Sequence, residues 1–76
     1  MSADAIRTLL EQAFSGGDVT VEDRTGGGDH FQVTVVSAAF DGLPLIEQHR
    51  RVNAALAEPL ADGTIHELRI RTKGTA

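Results

Sequence analysis

Three imidazoles and a set of cations in the second half of the chain are the residues best equipped for chemistry. The histidines are His30, His49 and His66. A neutral imidazole offers one nitrogen lone pair to a proton or a borderline metal ion, while its other nitrogen donates a hydrogen bond. The cations are Arg50, Arg51, Arg69, Arg71 and Lys73, which suit phosphate, glutathione or an acidic partner surface. The chain has no cysteine, so thiol nucleophiles, disulfides and thiolate metal motifs are excluded from its own residues. No Ser/His/Asp or paired-carboxylate arrangement stands out. The run Gly26-Gly27-Gly28 lacks the following Lys-Ser/Thr of a phosphate loop and precedes a strand pattern, so the chain reads as a non-enzyme.

The elements that position these residues follow from periodicity. Ile6, Leu9, Leu10, Ala13 and Phe14 form one apolar stripe, which predicts a helix over 3–14 stopped by Gly16-Gly17. Val19 to Arg24 is a short strand. Residues 25–30 form a loop that three glycines make mobile, and Phe31 to Val36 alternates as the strongest strand. The two strands form an antiparallel hairpin. After the turn at Asp41-Gly42, Pro44 suits the start of a second helix with an apolar stripe of Leu45, His49, Val52 and Leu56. Glu47 and Arg51 are spaced as an i, i+4 ion pair on it. Pro59 and Asp62-Gly63 close that region, and Ile65 to Thr72 is the last strand.

A strand, a helix and a further strand in one small sheet normally make a right-handed parallel crossover. The expectation is therefore one α+β domain over residues 1–76, ordered α-β-β-α-β. It has a mixed three-stranded sheet with helices on one face and Arg69 and Arg71 on the other, near Gln32 and Thr34. At 76 residues its core is small. By parity with Leu68 and Ile70, His66 starts on the helix-facing side at the strand's end. It is either a core-edge histidine bonded to a carbonyl or a ring packed on one side and open on the other. His30, a solvated loop residue or a ligand, starts its strand at the same sheet edge if the second and third strands are adjacent and parallel. His49 reads as a structural core-edge residue.

The net charge of −4 resides in residues 1–38, and residues 39–76 balance five acids with five bases. That disfavours nonspecific nucleic-acid binding by the whole molecule and leaves room for a local basic patch. No basic stretch followed by an apolar run opens the sequence, and no segment reaches bilayer-spanning length, so the expectation is cytoplasmic.

The segment HFQVTVVSAAFDGLPLIEQHRRVNAALAEPLADGTIHELRIRT, residues 30–72, resembles the BolA family. The matching pieces are His30-Phe31, Phe40-Asp41-Gly42, His49-Arg50-Arg51-Val52-Asn53 and Ile65-His66, and the helix from Ile6 to Phe14 fits as well. The resemblance implies a fold related to class II KH domains and a partnership with a monothiol glutaredoxin. In such pairs a [2Fe–2S] cluster is shared between the glutaredoxin's cysteine, glutathione and the histidine at the start of the last strand, here His66. The position of a second ligand in the loop before the second strand matches His30. Some relatives carry a cysteine in that loop, and this chain has none. The sequence also ends soon after the last strand, where longer members carry a further helix. BolA-like proteins are also described as transcriptional regulators. That implies DNA contact through Arg50, Arg51, Arg69, Arg71 and Lys73, although Asp41-Gly42-Leu43-Pro44 departs from a GxxG loop and no Tyr or Trp is available for stacking.

Overall fold

A computed structural model describes residues 2–75. Helix α1 (Ala3–Ala13) begins where the Ser2 hydroxyl accepts the Ala5 N–H at 3.1 Å, with Asp4 in the positive first turn. Its stripe buries Ile6 and Leu10 completely and Phe14 nearly so. Gly16 then takes a φ of +81°, which lets the chain reverse into the sheet.

Strands β1 (Asp18–Asp23) and β2 (His30–Val36) pair antiparallel, with Val19 opposite Val35 and Asp23 opposite Phe31. The glycine loop between them is more organised than its composition suggests. The Asp23 carboxylate accepts the N–H groups of Gly26 at 2.9 Å, Gly28 at 3.0 Å and Thr25 at 3.3 Å. Glycine removes side-chain obstruction, and one upstream carboxylate gathers the freed amides into a turn.

After a 3-10 turn at Ala38–Phe40, helix α2 (Leu45–Ala55) and the short helix α3 (Ala57–Ala61) lead to β3 (Glu67–Lys73). The expected stripe on α2 is only half right. Val52 and Leu56 are buried and His49 is half-buried, but Leu45 and Ile46 are about 60% exposed. The inward position in the first two turns belongs to Gln48, whose amide donates to the Leu43 carbonyl and whose Oε1 accepts the Thr72 hydroxyl at 2.6 Å. Glu47 pairs with Arg50 at 2.7 Å rather than with Arg51. Pro59 does not end the helical region. It sits early in α3, where its missing N–H costs little, and its ring is buried.

The sheet order is β1-β2-β3, with β3 parallel to β2. Phe31, Val33 and Val35 face the helices and meet Ile6, Leu10, Phe40, Val52 and Leu56, while Leu68 and Ile70 pack at the margin. The register puts Gln32 beside Arg69 and Thr34 beside Arg71 on the opposite, helix-free face, as alternation requires. Among the described residues no helix is long and apolar enough to cross a membrane.

Candidate functional site

The parallel ladder begins at Asp29. Its backbone carbonyl accepts the N–H of His66 at 2.8 Å and of Glu67 at 3.2 Å. This forked pairing brings the start of β3 against the start of β2, so His30 and His66 meet at one edge of the sheet. Their ring centroids lie 6.1 Å apart and the rings are perpendicular.

The orientation of His66 departs from simple parity. Residues 64–66 are not yet in strand, and β3 starts at Glu67. Ile65, only 4% exposed, fills the core at this end, and its N–H donates to the Pro59 carbonyl at 3.0 Å. His66 consequently turns outward, with its side chain 62% exposed. Its Nδ1 lies 3.2 Å from Oδ2 of Asp29, and its Nε2 meets no polar partner among the described residues.

His30 is more enclosed, at 32% exposure, and its Nδ1 makes an aligned hydrogen bond with Asp29 Oδ1 at 2.8 Å. Its Nε2 is 3.9 Å from Oε2 of Glu67. Glu67 is held from its other oxygen by Arg69 Nε at 3.1 Å and Arg24 Nη1 at 3.4 Å. Asp23 ties down the preceding loop, so His30 is a tethered ring and not one free to swing. Sequence reasoning gave neither Asp29 nor Glu67 a role. The signal for Glu67 was its register beside His30 on the open face.

The hydrogen bond with His30 holds the Asp29 carboxyl below the ordinary carboxylate value of 3.8. The charges of both imidazoles and a bond from Thr25 act in the same direction, and partial desolvation opposes them. A depressed folded pKa contributes stability above 3.8 that is lost as pH falls through the lower, folded value. We expect carbon NMR of the Asp29 carboxyl to titrate with a midpoint below 3.8 in the folded chain. A midpoint at or above that value would mean the imidazole contacts do not persist in solution.

The remaining candidates lie elsewhere. His49 sits on α2 next to Gln48, which touches Thr72 near the far end of β3. At about 3.3 Å per residue that is about 16 Å from the imidazole pair. Arg69, Arg71 and Lys73 alternate along the open face of β3, whereas Arg50 and Arg51 project from α2, which packs on the other face. The five cations are thus two sets separated by the sheet. Among the described residues no group of three or more His, Asp or Glu side chains could hold a metal ion. The edge offers one or two imidazole nitrogens and needs further donors from another molecule to complete a coordination sphere.

Fold and site together define a small α+β domain that presents paired imidazoles at the edge of a mixed three-stranded sheet. The family model described as BolA-like protein matches residues 10–76, and this chain belongs to the BolA family. It is 43% identical to BolA-like protein 1 of Pongo abelii over 95% of its own length. It spans only 57% of that relative. BolA1 of Arabidopsis thaliana superposes with a TM-score of 0.86 at 31% identity, covering 96% of this chain and 90% of the other. The BolA domain of SufE1 from the same plant gives 0.86 at 32% identity, covering 96% and 91%.

Proposed function

We propose that the chain is a non-enzymatic adaptor in iron–sulfur cluster handling. It pairs with a monothiol glutaredoxin around a shared [2Fe–2S] cluster, with glutathione as a further thiolate source. His66 is the ligand this chain supplies, and His30 is the candidate for a second. The observation that carries the reading is the solvent-facing Nε2 of His66, on a ring fixed at its backbone and beside a second imidazole. An imidazole in place of a thiolate raises the potential of a cluster and alters its lability, which suits transfer. Lacking cysteine, the chain is unsuited to holding such a cluster alone and suited to completing one brought by a thiolate partner.

The test is to mix the chain with a cluster-loaded monothiol glutaredoxin and follow visible absorption and circular dichroism. The wild type should shift both spectra, and His66→Ala should lose that shift. The His66 side chain is largely solvent-exposed, so this substitution should leave stability within about 0.5 kcal/mol. An identical spectral response from His66→Ala would remove the ligand assignment.

A second reading, a KH-like nucleic-acid-binding regulator, draws support from the row Arg69, Arg71 and Lys73 on the helix-free face. Arg50 and Arg51 lie outside that row. Phosphate binding by it should weaken steeply with salt. A mobility shift with DNA that is absent or insensitive to salt counts against it.

A further inference from the structure

An imidazole binds a metal through the nitrogen that carries no proton, and the hydrogen bond made by the other nitrogen decides which one that is. A free neutral imidazole in water prefers the proton on Nε2, which blocks the nitrogen that points away from the backbone. An acceptor at Nδ1 therefore favours presenting Nε2 to a metal. At this sheet edge one carboxylate serves both rings. Asp29 Oδ1 lies 2.8 Å from Nδ1 of His30, and Oδ2 lies 3.2 Å from Nδ1 of His66. The first contact is an aligned hydrogen bond and the second a close electrostatic one.

Asp29 is itself fixed in place. Its carbonyl takes the N–H groups of His66 and Glu67, and the Thr25 hydroxyl donates to Oδ1 at 3.4 Å. A short side chain on a twice-bonded peptide has little freedom, so the carboxylate is in position before any metal arrives. Each of its oxygens addresses a different ring, which also balances the charge if either ring becomes cationic.

We infer that Asp29 is the positioning residue of the imidazole pair, holding His30 and His66 with Nδ1 protonated so that Nε2 is left as the metal-binding nitrogen of each. This deepens the adaptor reading and rests on it for the identity of the metal, while the tautomer assignment stands on the geometry of the isolated chain. The two rings are not equivalent under this arrangement. The Nε2 of His66 is open, whereas that of His30 lies 3.9 Å from Glu67 Oε2, which Arg24 and Arg69 restrain through Oε1. A metal would meet the open Nε2 of His66 directly, whereas at His30 it would share the nitrogen's surroundings with the Glu67 carboxylate.

The test compares the wild-type chain with Asp29→Asn and Asp29→Ala. Two-bond proton–nitrogen NMR spectra of the imidazoles assign each tautomer directly at about pH 8, above the ordinary imidazole pKa of about 6.5. The wild type should show Nδ1–H on His30 and His66. In Asp29→Asn the amide can donate to Nδ1, so His30 should invert to Nε2–H, as a ring left without its acceptor should in Asp29→Ala. The backbone carbonyl is unchanged in both, and the backbone amide spectrum checks the fold. Titrated against cluster-loaded monothiol glutaredoxin, both variants should bind about 10- to 100-fold more weakly, the usual consequence of losing a carboxylate behind a metal-bound histidine. Tautomers unchanged in both variants would overturn the inference. Inverted tautomers would support it even if wild type and His66→Ala give the same cluster spectra, and in that event the iron reading alone falls. Inverted tautomers with undiminished binding, where His66→Ala does lose the response, would also overturn the positioning role.

Discussion

Replacing Phe31 by alanine is expected to remove about 3–5 kcal/mol of folding stability, the usual range for truncating a fully buried phenylalanine. Phe31 has no exposed surface and lies in the central strand, between Asp23 of β1 and Leu68 of β3. The other two phenylalanines, Phe14 and Phe40, pack against each other as tilted rings with centroids 5.1 Å apart and are not its direct strand partners. At about 0.05–0.15 kcal/mol per residue, a chain of this size has roughly 4–11 kcal/mol in total. The substitution therefore removes a large share of the stability. Phe31 also follows His30 directly, so the site should loosen with the core. Urea unfolding followed by far-ultraviolet circular dichroism measures the change. A loss below about 1 kcal/mol would show that the strands close over the vacancy, contrary to a core this thin.

The parts of the fold legible in the sequence are those governed by local pattern. The alternation of Phe31, Val33 and Val35 gave β2 its buried face, and the i, i+3, i+4, i+7, i+8 spacing of Ile6, Leu9, Leu10, Ala13 and Phe14 gave α1 its stripe. The shared edge of His30 and His66 followed from topology, because a parallel crossover starts both strands at the same end. What local pattern missed was set by distant partners. Leu45 has the spacing of a core residue, yet it is about 60% exposed, and Gln48 takes the inward place by bonding Thr72, 24 positions away in sequence. The glycine loop looked unconstrained because its organiser, Asp23, lies in the preceding strand. The cations looked like one patch because sequence proximity says nothing about which face of the sheet a helix covers.

The site shows the same division. Residue types identified the two imidazoles, but the carboxylates around them emerge only from tertiary contacts. Asp29 becomes central because its carbonyl is forked by the amides of His66 and Glu67. Glu67 becomes a neighbour of His30 only through the parallel register, and its restraint by Arg24 draws on a residue 43 positions away. Imidazole chemistry at this edge is therefore controlled by groups that no motif of adjacent residues records.

The outward turn of His66 depends on the residue before it, which leads to the second large effect. Ile65 turns into the core at the bend ahead of β3, and the ring of His66 beside it is left to solvent. Ile65→Ala is expected to cost about 2–5 kcal/mol, and Ile65→Val about 0.5–1.5 kcal/mol, since the methyl groups lost come from a nearly enclosed side chain. The consequence reaches the site because residues 64–66 have few other anchors. The Ile65 N–H bond to Pro59 and the His66 N–H bond to Asp29 are the backbone ties on either side of that peptide. Without the apolar anchor this segment should open more often than the sheet as a whole, a local event below global unfolding. Native-state hydrogen exchange should show the His66 amide losing protection in Ile65→Ala beyond the loss at Val33 and Val35 in the central strand. Equal losses at all three amides would mean that Ile65 contributes only to overall stability. In that case the exposure of the ring would have to be set by Asp29 alone.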